Sequence, residues 1–172
     1  MVTAAIMAAL AVILTYVEIQ IGVAGGSINI VMLPIIIVSY CYGAAWGIGT
    51  GLVVGFVKCL IGGGIGWGLP SILLDYVLAY AAVGLAGLFR GKRFGLVLGA
   101  AVGCVARFVI HYISGITIYA IVTEETLYGV TTSNAWLYSL LYNGWYMLPS
   151  SVIVIALCVL LKKPLEKLIK KV

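Results

Sequence analysis

Six long apolar stretches govern what this chain can become. They run over residues 2–21, 28–42, 44–61, 69–89, 94–120 and 135–161. One helical membrane crossing takes about 20 apolar residues at about 1.5 Å each. The second stretch, near the short end of that scale, reaches only part-way or shares residues with the third. Short glycine-rich or polar breaks separate the stretches, at 22–27, Gly43, 62–70, Gly91 and 123–134. None is long enough for a further domain. The expected fold class is therefore an all-α membrane protein, a six-transmembrane-helix bundle forming a single integral membrane domain over 1–172. The run at 4–21 lacks basic leading residues and is long for a signal sequence, so it reads as a retained span.

Composition excludes the main alternatives. The chain is 64% hydrophobic and 9% charged, whereas a soluble globular domain carries about 25% charged residues. A water-soluble fold and a disordered chain are both ruled out. The net charge of +5 does not mark a nucleic-acid partner, because the cations crowd into 90–93 and 162–171 instead of tiling a face. Those clusters set topology. Cytoplasmic loops of membrane proteins are enriched in Lys and Arg, so both clusters belong on the cytoplasmic side. Six crossings then place both termini inside and Glu124 and Glu125 in an outer loop. Beyond the last span, Leu165, Leu168 and Ile169 share one face of a lysine-rich tail, suited to anionic membrane lipid or simply to anchoring.

Small residues mark close helix contacts. Glycines recur every fourth position at Gly47, Gly51, Gly55 and again at Gly95, Gly99, Gly103, and alanines pair at Ala4, Ala8 and at Ala5, Ala9. Packing inside the bundle suits the glycine faces. The alanine face of the first helix is open to a partner helix.

Charges within the apolar stretches need a reason. Glu18, Lys58, Asp75, Arg107 and His111, with Asn29 and Asn143, lie inside them. At a helix centre each charge costs about 2.5–3.5 kcal/mol on insertion scales, so they must pair or face a wet chamber. With the topology above, all seven fall between the midplane and the outer surface. They imply an outward-facing polar pocket over a sealed inner half. Structural ion pairs between helices remain the competing reading. Arg107 and His111 are four residues apart and share a helix face, which Ser114 and Gly115 continue. Trp67, Tyr76, Tyr119, Tyr138, Tyr142, Trp145 and Tyr146 supply flat walls suited to a heteroaromatic ring. An interfacial aromatic belt accounts for Trp136 and Trp67 as readily.

Several chemistries lack their signatures. The chain has no G-x-x-x-x-G-K-[ST] phosphate loop. Ser114 near His111 comes with no orienting carboxylate or oxyanion motif, so no catalytic residue is assigned. Cys41, Cys59, Cys104 and Cys158 stand singly and read as small buried hydrophobes; with one histidine, no metal or other cofactor is implied. Small-molecule binding or transport survives, including a self-sufficient secondary transporter with His111 and Asp75 as a proton relay.

Certain runs of residues carry a resemblance. Leu74-Asp75-Tyr76 through Gly84-Leu85-Ala86-Gly87-Leu88-Phe89-Arg90, Arg107-Phe108-x-x-His111-Tyr112-x-Ser114-Gly115, and Trp136-Leu137-Tyr138-Ser139-Leu140-x-Tyr142-Asn143-Gly144 resemble the thiamine-specific S component of energy-coupling factor (ECF) transporters. Gly25-Gly26-Ser27 and Leu33-Pro34-Ile35 fit as well. The resemblance implies a six-helix bundle that takes thiamine from outside, with a transmembrane coupling subunit and two ATPase subunits as partners. It implies that Asp75, Asn143 and Tyr138 hold the aminopyrimidine, that His111 and Tyr119 flank the thiazolium, and that Tyr76 reaches the hydroxyl end. It further implies that Arg107 pairs with Asp75 and that Ala5 and Ala9 dock on the coupling subunit; Asn29, Lys58, Trp67 and Gly115 are further substrate-binding candidates. Some relatives carry an aromatic residue where Lys58 stands. A lysine beside a cationic ring is unfavourable. Either Glu18 pairs with it or the correspondence slips there, which leaves another vitamin or a pyrimidine precursor as alternative ligands.

Overall fold

The computed structural model describes residues 1–21, 26–62, 64–121 and 123–169, the last two by backbone alone. Gly25 and most of the 22–27 loop lie outside the described residues, as do the side chains of Leu168 and Ile169. Among the described residues the long helices are α1 (Val2–Leu14), α2 (Met32–Tyr42), α3 (Ala44–Ile61), α4 (Leu69–Phe89), α5 (Gly95–Thr117) and α6 (Ala135–Ile169). Among the described residues, α3 to α6 are long and apolar enough to cross a membrane, and α1 and α2 are shorter apolar helices.

The first stretch departs from the expected helix over 2–21. The Thr15 hydroxyl bonds back to the Val12 carbonyl at 2.6 Å, a local bond that competes with helix propagation. The chain then turns and forms β1 (Ile19–Gln20), paired antiparallel with β2 (Ser27–Ile28). A second hairpin, β3 (Glu125–Leu127) and β4 (Val130–Thr132), precedes α6. Tyr128 and Gly129, both at positive φ, make its turn. The fold is thus mostly helical, with two small hairpins added. Asn29 also lies outside its expected helix: it precedes α2, and its side-chain oxygen accepts the Val31 backbone N–H at 3.3 Å.

Burial explains why α2 is short. Met32, Pro34, Ile35, Ile36, Val38, Ser39 and Tyr40 are all buried, and Leu33, Ile37 and Cys41 on the remaining face are half-buried, so protein covers most of its apolar surface. It packs against all five other helices. The core it anchors, with Ala100, Cys104, Val154, Cys158 and Leu165 among its members, fills the half of the bundle away from the hairpins. At that same end Arg93 and Lys162 lie over the Phe94 ring, at 5.5 and 4.4 Å. The two basic clusters therefore share one end of the bundle.

Both glycine faces meet α4, one from each side. A Cβ at Gly47, Gly51 or Gly55 would strike the α4 backbone or the Ser39 hydroxyl beside it, and Gly99 and Gly103 face the Ala86 and Val83 carbonyls. Without side chains on either flank, α4 is held by backbone contact along its length. Its turn over Ile72–Leu78 is π-helical, wider than an α turn and frequent at functional sites. That wide turn carries Asp75 and Tyr76.

Candidate ligand-binding site

A cavity of about 390 Å³ opens at the hairpin end of the bundle, within the range of small-molecule sites. The approach to α2 and the helices α3 to α6 contribute to its wall. Asn29 comes from the approach to α2, Lys58 from α3, Asp75 and Tyr76 from α4, Arg107, His111 and Gly115 from α5, and Tyr138 and Asn143 from α6. Trp67 and Tyr119 close its rim and pack edge to face, ring centres 6.0 Å apart. All these substrate-binding candidates therefore come together, whereas Trp145, read as a further aromatic wall, stacks on Tyr128 outside the cavity. Ala5 and Ala9 do not join them; both are exposed on α1, whereas Ala4, Ala8 and Ala11 are buried in the bundle.

Asp75 is the hub. Its Oδ2 accepts the Ser114 hydroxyl at 2.8 Å and the Ser71 hydroxyl at 3.0 Å, and its Oδ1 lies 3.1 Å from His111 Nδ1. Tyr119 donates in turn to Ser71 at 2.7 Å. When Nδ1 of a neutral His111 carries the proton toward Asp75, Nε2 is left as an acceptor. That atom is buried and has no hydrogen-bond partner among the described residues.

Arg107 does not pair with Asp75. Its Nη2 donates to the Tyr80 hydroxyl at 3.1 Å and its guanidinium carbon stands 4.2 Å from the Tyr80 ring centre. Tyr80 lies five residues beyond Asp75, past the π turn, and its face offers the arginine a cation–π contact inside the bundle. The three donors from Ser71, Ser114 and His111 already occupy the carboxylate. The expected ion pair with Asp75 is thereby replaced by a stacked tyrosine.

Lys58 pairs instead with Glu18, at 3.5 Å. Of the seven polar residues singled out within the apolar stretches, six line the cavity and the seventh, Glu18, is bonded to one of the six.

Across the cavity, α6 presents an amide. Asn143 Nδ2 donates to the Ser139 carbonyl at 3.1 Å and to the His111 carbonyl at 3.3 Å, and its Oδ1 accepts the Tyr146 hydroxyl at 2.8 Å. These bonds fix the amide's orientation. Gly115 makes room for the arrangement, since a Cβ there would collide with the Ser139 hydroxyl. Tyr138 and Tyr142 stack in parallel, 6.5 Å apart, and Tyr142 meets Tyr146 edge to face. The result is an aromatic wall opposite Asp75, suited to a flat ring with donors and acceptors on its edge.

Several lining residues were not singled out in the sequence reading, among them Ser71, Tyr80, Ile121, Glu125 and Ser139. Ser71 and Ser139 each precede a singled-out residue, Asp75 and Asn143, by one helical turn, a spacing that marks them. Tyr80 had no such mark, because only the tertiary contact with Arg107 gives it a role. Glu125 reaches the rim from the second hairpin, a placement no local pattern announces.

A family model described as Thiamine transporter protein (Thia_YuaJ) matches residues 1–170. The chain belongs to this thiamine transporter family. Its relatives include the thiamine transporter ThiT of Bacillus subtilis strain 168, 35% identical over 150 residues, covering 79% of this chain and 75% of that protein. ThiT of Lacticaseibacillus paracasei is 32% identical over 170 residues, covering 88% and 80%. Among solved structures, ThiT from Listeria monocytogenes superposes with a TM-score of 0.82 at 23% identity, over 98% of this chain and 95% of that one. The S component of a bacterial ECF transporter superposes with a TM-score of 0.66 at 16% identity, over 98% and 96%. The fold is that of an S component. As a thiamine transporter family member the chain is a multi-pass membrane protein of transport, not an enzyme.

Proposed function

We propose that this chain captures thiamine at the outer face of the cell membrane and hands it inward as the S component of an ECF transporter. In this reading the six helices all cross, both termini face the cytoplasm and the cavity opens outward. Asp75, Tyr138 and Asn143 hold the aminopyrimidine, whose edge offers both donors and acceptors. His111 and Tyr119 flank the thiazolium, Tyr76 takes the hydroxyl end and Trp67 covers the mouth. Asn29, Lys58, Arg107 and Gly115 shape the surrounding wall. Ala5 and Ala9 form the small-residue face that meets the coupling subunit, and two ATPase subunits drive the cycle. The observation that carries the reading is the Asp75 carboxylate, held by three donors and facing an aromatic wall, in a chain of the thiamine transporter family.

Equilibrium titration of the purified chain, following Trp67 fluorescence across a panel of vitamins, tests it. Saturable quenching by thiamine and none by riboflavin or biotin is the expected result. Saturation by another vitamin instead would overturn the specificity. The His111–Asp75 contact at 3.1 Å also suits a proton relay in a self-sufficient secondary transporter. Liposomes holding this chain alone separate the two readings. An S component takes up nothing without its partners, and a secondary transporter responds to the proton gradient.

A further inference from the structure

We propose that Glu18, which does not line the cavity, decides that the cavity accepts a cation, by cancelling the charge of Lys58. The inference rests on the reading that the ligand is thiamine, whose thiazolium is permanently charged. The ammonium of Lys58 faces the cavity. Arg107 adds a second positive charge, and of the acids that line the cavity Asp75 lies deep while Glu125 stands exposed on the rim hairpin. A cationic ligand entering that set alone would meet an uncompensated Lys58.

Glu18 supplies the compensation from outside the wall. Its Oε2 lies 3.5 Å from Lys58 Nζ and accepts the Ser27 hydroxyl at 2.7 Å. Ser27 in turn receives the Asn29 amide at 3.2 Å, and the Asn29 backbone N–H donates to Ser150 on α6 at 3.2 Å. Ser27 and Asn29 are each 6% exposed. The carboxylate is thus tied to β2 and, through it, to α6, and swinging away from Lys58 breaks its bond to Ser27. At this depth salt screens the pair little, so its neutrality is felt by a charge in the cavity. This arrangement also explains how Lys58 is tolerated: it and Glu18 act on the ligand as one neutral unit. Glu18 is a positioning residue that works through Lys58.

Glu18→Gln keeps an oxygen for Ser27 and removes only the charge. Titrations with thiamine and with the neutral hydroxymethyl aminopyrimidine that forms half of it provide the readout. Glu18→Gln is expected to weaken thiamine about tenfold while changing the neutral ligand less than about threefold. Adding Lys58→Met should bring thiamine back to within about threefold of the parent. Lys58→Met alone gives an independent arm: it removes a cation from the wall, leaves Glu18 uncompensated and should tighten thiamine about threefold or more. Equal weakening of both ligands by Glu18→Gln, absence of rescue in the double variant, or thiamine binding by Lys58→Met no tighter than the parent's overturns the inference while the parent's own affinity keeps the thiamine reading intact. A parent that fails to bind thiamine overturns both.

Discussion

The guanidinium of Arg107 lies over the ring of Tyr80, 4.2 Å from its centre, with Nη2 donating to the tyrosine hydroxyl at 3.1 Å. Both residues are almost wholly buried, so one membrane-embedded cation is stabilised by a π face and a single hydrogen bond. The contact joins α5 to α4 in the cavity wall and leaves Asp75 to its hydroxyl and imidazole donors. Tyr80→Phe should keep the stack and lose the bond, lowering stability by about 1 kcal/mol. Tyr80→Ala should remove both and cost about 3–5 kcal/mol. Thermal unfolding of the two variants in detergent checks the order.

Asp75 is the residue whose loss should hurt ligand capture most. Asp75→Ala strips Ser71, Ser114 and His111 of their shared acceptor. Affinity for thiamine should fall about 10- to 100-fold, the worth of a charge-assisted hydrogen bond and its network. Calorimetric or fluorescence titration measures it, and an unchanged affinity would remove Asp75 from the site.

Gly115 faces Ser139, and a Cβ at this position would also stand 2.9 Å from the Ser139 Cβ and 3.3 Å from Asn143 Nδ2. Gly115→Ala should therefore displace the Asn143 amide and weaken thiamine by about tenfold, near the value of one hydrogen bond. Ser139→Ala in the same chain frees space and should recover part of the loss. Non-additivity of the two changes in a double-mutant cycle is the measurement.

Two glycines on α3 should respond in opposite directions. A Cβ at Gly51 meets the Tyr80 carbonyl and backbone of α4, whereas Gly49 has open space around it. Gly51→Ala should destabilise by about 1–3 kcal/mol through overpacking. Gly49→Ala should stabilise by about 0.5–1 kcal/mol, because alanine is the better helix former. Unfolding midpoints of the pair separate packing from propensity.

Much of this protein was legible without coordinates, because the bilayer imposes strong rules on a sequence. Apolar length marked the spans of α3 to α6, and the cost of burying charge marked Asp75, Arg107, His111 and Asn143 as residues that must face inward. Glycine spacing announced the faces on α3 and α5, although not that both press on the same helix. Motifs along α4, α5 and α6 pointed to the family. The tertiary structure decided what depends on contacts between distant residues. Hydropathy could not show that α1 stops at Leu14, since Ile19 to Gln20 are as compatible with a strand once β2 is there to pair with them. Nor could charge alone choose partners: Arg107 and Lys58 were both able to neutralise an acid, and only packing assigned Tyr80 to the one and Glu18 to the other. Apolar periodicity is a one-dimensional signal, whereas a partner is fixed by geometry between helices far apart in the chain.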